Sequence, residues 1–212
     1  MTAPVGVPDD AAASVAAVRE RFPSGVVRSH VVNHQTVLHV SPTDAHAILT
    51  FLQQQPAHCF DYLTDLTCVE YRDPERQFEV VYQLRSLARR VDLRVKIGLD
   101  ADAPLQVRTV TDLWMGAEWL EREAWDMFGV VFAGHHDLRR ILMWETYSEG
   151  HPLRKSFPLR GHWSRAEQTR QALSANPEAH YSMEELSISE AYRELPKDMQ
   201  ERLAESGRGA LP

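Results

Sequence analysis

Carboxylates, imidazoles and guanidinium groups crowd one stretch of this 212-residue chain. Glu121, Glu123 and Asp126 come first, then His135, His136, Asp137 and His151, with Arg122, Arg139, Arg140 and Arg154 interleaved. Metal binding is one chemistry open to such groups, because histidine and carboxylate are common ligands. Their spacing matches no compact ligand motif, such as two histidines one helical turn apart. Acid–base catalysis by paired carboxylates is a poor fit too, since Glu121 and Glu123 lie two apart on a helix and do not face each other. No serine stands in a nucleophile elbow, and no glycine-rich phosphate loop or dinucleotide fingerprint is present. The two cysteines, Cys59 and Cys68, fall short of the four thiolates an iron–sulfur cluster usually needs, and they form no C-x-x-C pair. They read as free buried thiols, with no disulfide in a reducing compartment. What remains is structural chemistry: carboxylates in the stretch pairing with Arg122, Arg139 and Arg140, buried or at a contact.

The elements that position these groups are legible. Leu113, Ala117, Leu120, Ala124 and Phe128 recur at helical spacing and predict a helix over Thr111–Phe128. Glu118, Arg122 and Asp126, each four apart, predict charge pairs along its other face. Gly129 falls where a helix end takes a left-handed residue, and Val130–Phe132 reads as extended. Beyond Gly134 the chain is unusual for a loop. Leu138, Arg139 and Arg140 abut Ile141–Trp144, and residues 150–159 mix two prolines, two cations and large apolar groups. Proline removes donors and holds the chain extended, so this segment needs a surface to lie on. Two surfaces suit it: another protein, since Trp and Arg carry much interface energy, or its own domain as an irregular wrap. A metal site around the histidines is the third reading. All five tryptophans lie in or just past the stretch.

The run Glu121-Arg122-Glu123-x-Trp125-Asp126-Met127-Phe128-Gly129, continuing through Gly134-His135-x-Asp137-Leu138-Arg139-Arg140-Ile141-Leu142, resembles the signature of the C-type, 30-kDa subunit of proton-pumping NADH:quinone oxidoreductase, the respiratory complex I. Val110–Trp114 and Glu149-Gly150-His151-Pro152-Leu153-Arg154-Lys155 are similar to the same family. His136 stands where the family usually has proline, and Ser156 where it usually has aspartate. The resemblance implies a non-catalytic subunit of the hydrophilic arm. It would pack chiefly against the large, 49-kDa-type subunit of the quinone site and hold no cofactor itself, while FMN, iron–sulfur clusters and quinone belong to the assembly. It also implies that Glu121, Arg122, Glu123, Trp125, Asp126, Phe128, Gly129, Gly134, His135, Asp137, Leu138, Arg139, Arg140, His151, Pro152 and Arg154 form or shape the partner contact. Related domains occur in membrane-bound hydrogenases, which is the alternative within this architecture; a free-standing metal enzyme is the alternative outside it.

A net charge of −7 argues against nucleic acid; the basic patch Arg85, Arg89, Arg90, Arg94 and Lys96 reads as a solvated face. No apolar run is long enough to cross a bilayer and no secretory signal opens the chain. That places the chain in the cytoplasm, or peripherally on the cytoplasmic side of the inner membrane through partners. Residues 1–8 read as disordered. Asp10 can cap a helix through Val15, Val18 and Phe22. Val26–Val32 and Gln35–Val40 form a hairpin about Asn33-His34. Ser41-Pro42-Thr43-Asp44 starts a second helix, capped by Ser41 and burying Ala45, Ile48, Leu49 and Leu52. A strand fills the second half of 60–71, and Asp73–Arg76 is a turn. Phe78–Leu87 and Val91–Leu99 alternate as a long antiparallel pair, and Asp100–Pro104 is a loop into the signature helix. The order predicts an α+β two-layer sandwich: a mixed, mostly antiparallel sheet with helices on one face, and an extended C-terminal tail. Core residues 9–132, a docking segment 133–163 and a partly helical tail 164–212 follow, with capping boxes at Ser164/Glu167 and Ser182/Glu185 and a further helix start at Pro196.

Overall fold

The computed structural model describes residues 11–73, 76–100 and 103–175, together with Lys197. Residues 1–10, Pro74 and Glu75 of the expected turn, and the expected Ser182/Glu185 box and Pro196 helix start lie outside the described residues. The chain divides into two units, one through Gly161 and one from His162.

In the first unit a five-stranded sheet is ordered β1-β2-β5-β4-β3, from β1 (Val26–Val32), β2 (Gln35–Val40), β3 (Tyr62–Asp73), β4 (Arg76–Ser86) and β5 (Val91–Leu99). Within this sheet only β2 and β5 pair parallel. Helices α1 (Ala11–Arg21) and α2 (Ala45–Gln54) supply Val15, Val18, Ile48, Leu49 and Leu52 to the core. They meet Leu38, Val80, Tyr82, Leu84, Leu93, Val95 and Ile97, all buried. Strict alternation in β4 and β5 produces this: residues i and i+2 share a face, so the apolar set points one way. On the opposite face Lys96 bonds Glu79 at 2.7 Å, Arg94 bonds Gln83 and Arg85 pairs with Asp92. The basic patch is thus laced across strands and carries no free cationic surface at these three positions. The β1–β2 turn takes positive φ at both Asn33 (49°) and His34 (64°), as a two-residue hairpin of this twist requires.

Several expectations are corrected. The second helix starts at Ala45, not at the Ser41 turn. Ser41 bonds the Thr43 hydroxyl and caps nothing, and Asp44 at the N-cap makes no side-chain cap. The third strand spans Tyr62–Asp73, well beyond the second half of 60–71, because it pairs along nearly its whole length with β4. Helix α3 runs Ala117–Phe128, six residues shorter at its start than the apolar stripe suggests. Residues 110–114 are folded instead as tight turns onto α2: Leu113 N–H and Trp114 N–H donate to Val110, Gln53 donates to the Leu113 carbonyl, and His46 bonds Asp112 at 2.9 Å. A short strand β6 (Gln106–Arg108), not expected, pairs parallel with β7 (Val131–Ala133) in a second, two-stranded sheet.

In the second unit α4 (Arg165–Ala175) begins at a complete capping box. Ser164 Oγ donates to Glu167 and accepts from its amide, while Glu167 accepts the Ser164 N–H at 3.1 Å.

Candidate functional site: a strap locked onto helix α3

Helix α3 packs against β3 and is buried on an unusual set of side chains: Glu121, Arg122 and Asp126 as well as Ala117, Ala124, Met127 and Phe128. The expected lacing of Glu118, Arg122 and Asp126 along an exposed face does not form. Arg122 and Asp126 turn inward because the chain after Gly134 crosses back over them, while Glu118 stays part-exposed. Glu118 faces His136 at 3.4 Å, and each of the other two reaches the returning strap.

Asp126 is the anchor. It is 0 % exposed. One oxygen takes the Arg140 guanidinium at 2.5 Å; the other accepts the consecutive amides of Ile141, Leu142 and Met143 at 2.9–3.0 Å. Burial pushes its carboxyl up, but the amides of Met143 and Ile141, the Arg140 guanidinium and the Leu142 amide outweigh it and hold it below the ordinary carboxylate range. Arg140 also reaches the Gly150 carbonyl and stacks over Trp125 and Tyr147, 5.6 and 5.0 Å from the ring centres. Arg122 donates to the carbonyls of Arg139 and Arg140 and lies over Trp119.

The second contact solves a general problem. The last four carbonyls of a helix have no partner within it. Here the residue after the helix serves the first of them and the strap serves the other three. Gly129 N–H caps Trp125, His151 Nδ1–H donates to the Asp126 carbonyl at 3.0 Å, Leu153 N–H to Met127, and Arg154 Nε–H to Phe128 at 2.6 Å. The Arg154 cation sits at the negative end of the helix dipole and over the Phe78 ring. Burial, ahead of the opposing Asp126 carbonyl contact, lowers His151, which keeps its imidazole neutral with the proton on Nδ1. The motif from Gly150 to Lys155 is thus a C-terminal cap delivered from 25 residues downstream, with the Lys155 amide reaching on to Glu70.

Gly129 makes this approach possible. Its φ is +77°, and a Cβ there would lie 2.5 Å from His151 Nε2 and 2.8 Å from Arg154. Gly129→Ala is expected to lower stability by about 2 kcal/mol, combining left-handed strain with overpacking. Urea denaturation of the isolated chain checks this, and protease cleavage after Arg154 should speed up in parallel.

The other expected site residues fall into place around this lock. His135 donates Nε2–H to the Glu118 carbonyl and accepts the Asp137 amide on Nδ1, so both nitrogens are used within the fold. Gly134 takes φ +90° in the same turn, and His136 stacks on His135. Asp137 pairs with Arg139 at 2.8 Å on the surface, which lowers the Asp137 carboxyl. Leu138 packs against the core; Trp125 and Pro152 are half-buried and Glu123 is exposed. Glu121 takes no arginine, contrary to expectation. It is 0 % exposed and accepts the Thr109 hydroxyl at 2.6 Å and the Val110 amide at 2.7 Å. Thr109 and Tyr147 escape a reading of the sequence; nothing in their own spacing marks them, because their roles arise from contacts across 7–12 residues of turn and helix.

Among the described residues no three His, Cys, Asp or Glu side chains converge as metal ligands. Cys68 lies in the β3 core with its thiol pushed up to about 12 by burial, and Cys59 is part-buried, so this pair does not fit a thiolate-held cluster.

Fold and site together define a class: an α+β scaffold whose densest polar chemistry fixes a long strap in one conformation. The chain belongs to the family of the respiratory-chain NADH dehydrogenase 30 Kd subunit, which matches residues 38–163. It is 44 % identical over 147 residues to a C-type NADH-quinone oxidoreductase subunit of Rhizobium etli, covering 69 % of this chain and 77 % of that one. To the C-type NADH-quinone oxidoreductase subunit of Brucella ovis it is 41 % identical over 144 residues, covering 68 % and 70 %. A solved trypsin-resistant fragment of Nqo5 (1–134) superposes with a TM-score of 0.53 at 26 % identity, over 61 % of this chain and 99 % of the fragment. The fold is also shared, at 21 % identity and a TM-score of 0.58, with a chain of a membrane-bound sulfane sulfur reductase, an archaeal respiratory membrane complex, covering 76 % and 90 %. No helix among the described residues is long and apolar enough to cross a membrane.

Proposed function

We propose that this chain is a structural subunit of the hydrophilic arm of an NADH:quinone oxidoreductase, with no active site or cofactor of its own. FMN and iron–sulfur clusters in other subunits carry electrons from NADH to quinone, coupled to proton translocation. This subunit braces that arm, chiefly against the large 49-kDa-type subunit of the quinone site, on the cytoplasmic side of the membrane. The observation that carries the reading is the lock on α3. Asp126 and the helix C-terminus hold 138–154 from beneath, which leaves Leu142 and Leu153, 60 % and 53 % exposed, facing outward on a fixed backbone. Apolar side chains presented without conformational freedom are what a permanent interface rewards. In this reading Asp126, Arg122, Arg140, His151, Arg154, Phe128 and Gly129 shape the surface from inside, and Glu123, Asp137, Arg139 and Pro152 border it. Glu121, Trp125, Gly134, His135 and Leu138 set the turns that aim it.

A mild-detergent pull-down from membranes tests this. The chain is expected to bring down an NADH-oxidising flavoprotein and the large quinone-site subunit. A nickel–iron large subunit without that flavoprotein would assign it to a hydrogenase-type assembly instead. Leu153→Glu is expected to cut the co-purified partners at least about tenfold, since charge in the core of an interface is strongly disfavoured. The melting temperature of the isolated chain should stay where it was.

A further inference from the structure

The two edges of the main sheet are treated differently. Along β3, α3 packs against the strand and the Lys155 amide bonds Glu70. The outer edge of β1 pairs with no strand among the described residues. Strand β1 reads Val-Val-Arg-Ser-His-Val-Val, with Val27 70 % and Val31 58 % exposed. Proteins usually protect such an edge with lysine, proline or a covering element. Here there is only a bulge between Val26 and Arg28, and β-branched residues dominate. Beside the edge runs a groove of about 370 Å³ between β1 and α1, floored by Val15 and bordered by Ala12, Ala16 and Val31. Arg19 closes one side, donating to Ser29 at 2.8 Å. On the sheet face away from the helices, the Arg28 cation and the His30 imidazole follow each other along the same edge, a donor-bearing strip in a chain of net charge −7.

We infer that the β1 edge is a second docking surface, which takes an extended segment of another polypeptide as a sixth strand. This rests on the reading of the chain as a subunit of a larger assembly. Alternate residues of an edge strand direct N–H and C=O outward, and an added strand satisfies them. Small or β-branched side chains of the incoming strand would enter the groove beside Ala12 and Ala16. A carboxylate on its other face would meet Arg28 and His30. A second copy of this chain fits less well. Twofold antiparallel pairing about Ser29 would set Arg28 opposite His30 twice and supply no carboxylate.

The test compares hydrogen–deuterium exchange of the full chain alone and in the purified membrane assembly. The outward-facing amides within 27–32, those not already bonded to β2, are expected to slow at least about tenfold in the assembly. Val31→Lys and Arg28→Glu should each reduce incorporation severalfold without shifting the melting temperature of the isolated chain, and Arg28→Lys should restore it. Equal exchange in both states, or full incorporation of Val31→Lys, overturns the inference while leaving the functional reading intact. A concentration-dependent dimer of the isolated chain that Val31→Lys dissolves assigns the edge to a second copy and overturns it too. Failure of the wild-type chain to co-purify with any assembly defeats the functional reading itself.

Discussion

Arg140→Glu is expected to release the strap from helix α3, with a larger loss than any other single change proposed for this chain. Arg140 is 10 % exposed at its side chain, and its partner Asp126 is sealed. Breaking a buried ion pair by removing one partner costs about 3–5 kcal/mol, because the other charge stays buried without compensation. Reversal is worse than removal here, since two carboxylates would then share the site with only the three amides of 141–143 to hold them. The ring contacts to Trp125 and Tyr147 are lost as well. Arg140→Met separates the two losses by keeping the apolar stem on those rings, and should fall between wild type and Arg140→Glu. Denaturation of the isolated chain measures the first effect. Trypsin cleavage within 138–157 and the amount of chain recovered in the membrane assembly measure the second. Arg139→Glu is the internal control: Arg139 points to solvent and its side chain pairs with Asp137 on the surface, so its melting temperature should stay within about 1 °C of the parent. Equal damage from both reversals would mean that the lock at Asp126 does not control the strap.

Stability of the wild-type chain is expected to fall as pH rises from about 5 to about 8, through Glu121. Burial raises this carboxyl. The Thr109 hydroxyl and the Val110 amide lower it, and the nearby Asp112 charge raises it, leaving it at about 7 against an ordinary 4.5. The folded state therefore keeps this proton up to about pH 7, while the unfolded chain releases it near 4.5. Between those values the folded state binds more protons, so stability declines with pH and the full cost is reached above about 7. The difference corresponds to about 3 kcal/mol. Glu121→Gln removes the ionisation and keeps the geometry: Oε1 accepts the Val110 amide, and Nε2 donates to Thr109 Oγ1. Urea denaturation of both proteins at about pH 5 and about pH 8 reads the effect directly. The glutamine variant should be the more stable at the higher pH and lack most of the slope. Parallel profiles would show that Glu121 does not carry it. The Tyr82 phenol, fully buried near Glu121, is itself raised well above its usual range and stays protonated throughout.

Much of the fold is legible because its signals are local. The Asn33-His34 hairpin, the alternation of 78–84 and 91–97, and the α2 stripe Ala45, Ile48, Leu49 and Leu52 each depend on neighbours within a few residues, and each lies where its pattern predicts. The failures share a different cause. Helix α3 loses its first turn and a half because Gln53 and His46 of α2 capture residues 112–113 in a turn. Strand β6 has no signature in the sequence, because three residues, Gln106–Arg108, are too few to show a period and are extended only by pairing with β7.

From its residues alone, the chain determined an α+β sheet with helices on one face, the glycine that ends α3, a signature rich in tryptophan and arginine, and the lack of a nucleotide fingerprint or a four-thiolate set. Those are properties of composition and short-range spacing. Tertiary structure alone decided which charges are inside. Glu118, Arg122 and Asp126 are four apart and read as a surface ladder, yet two of them are buried and bonded to a segment that returns from 139–154. A charge is buried only where donors and acceptors converge on it from elsewhere in the chain. No periodicity along one helix records that convergence.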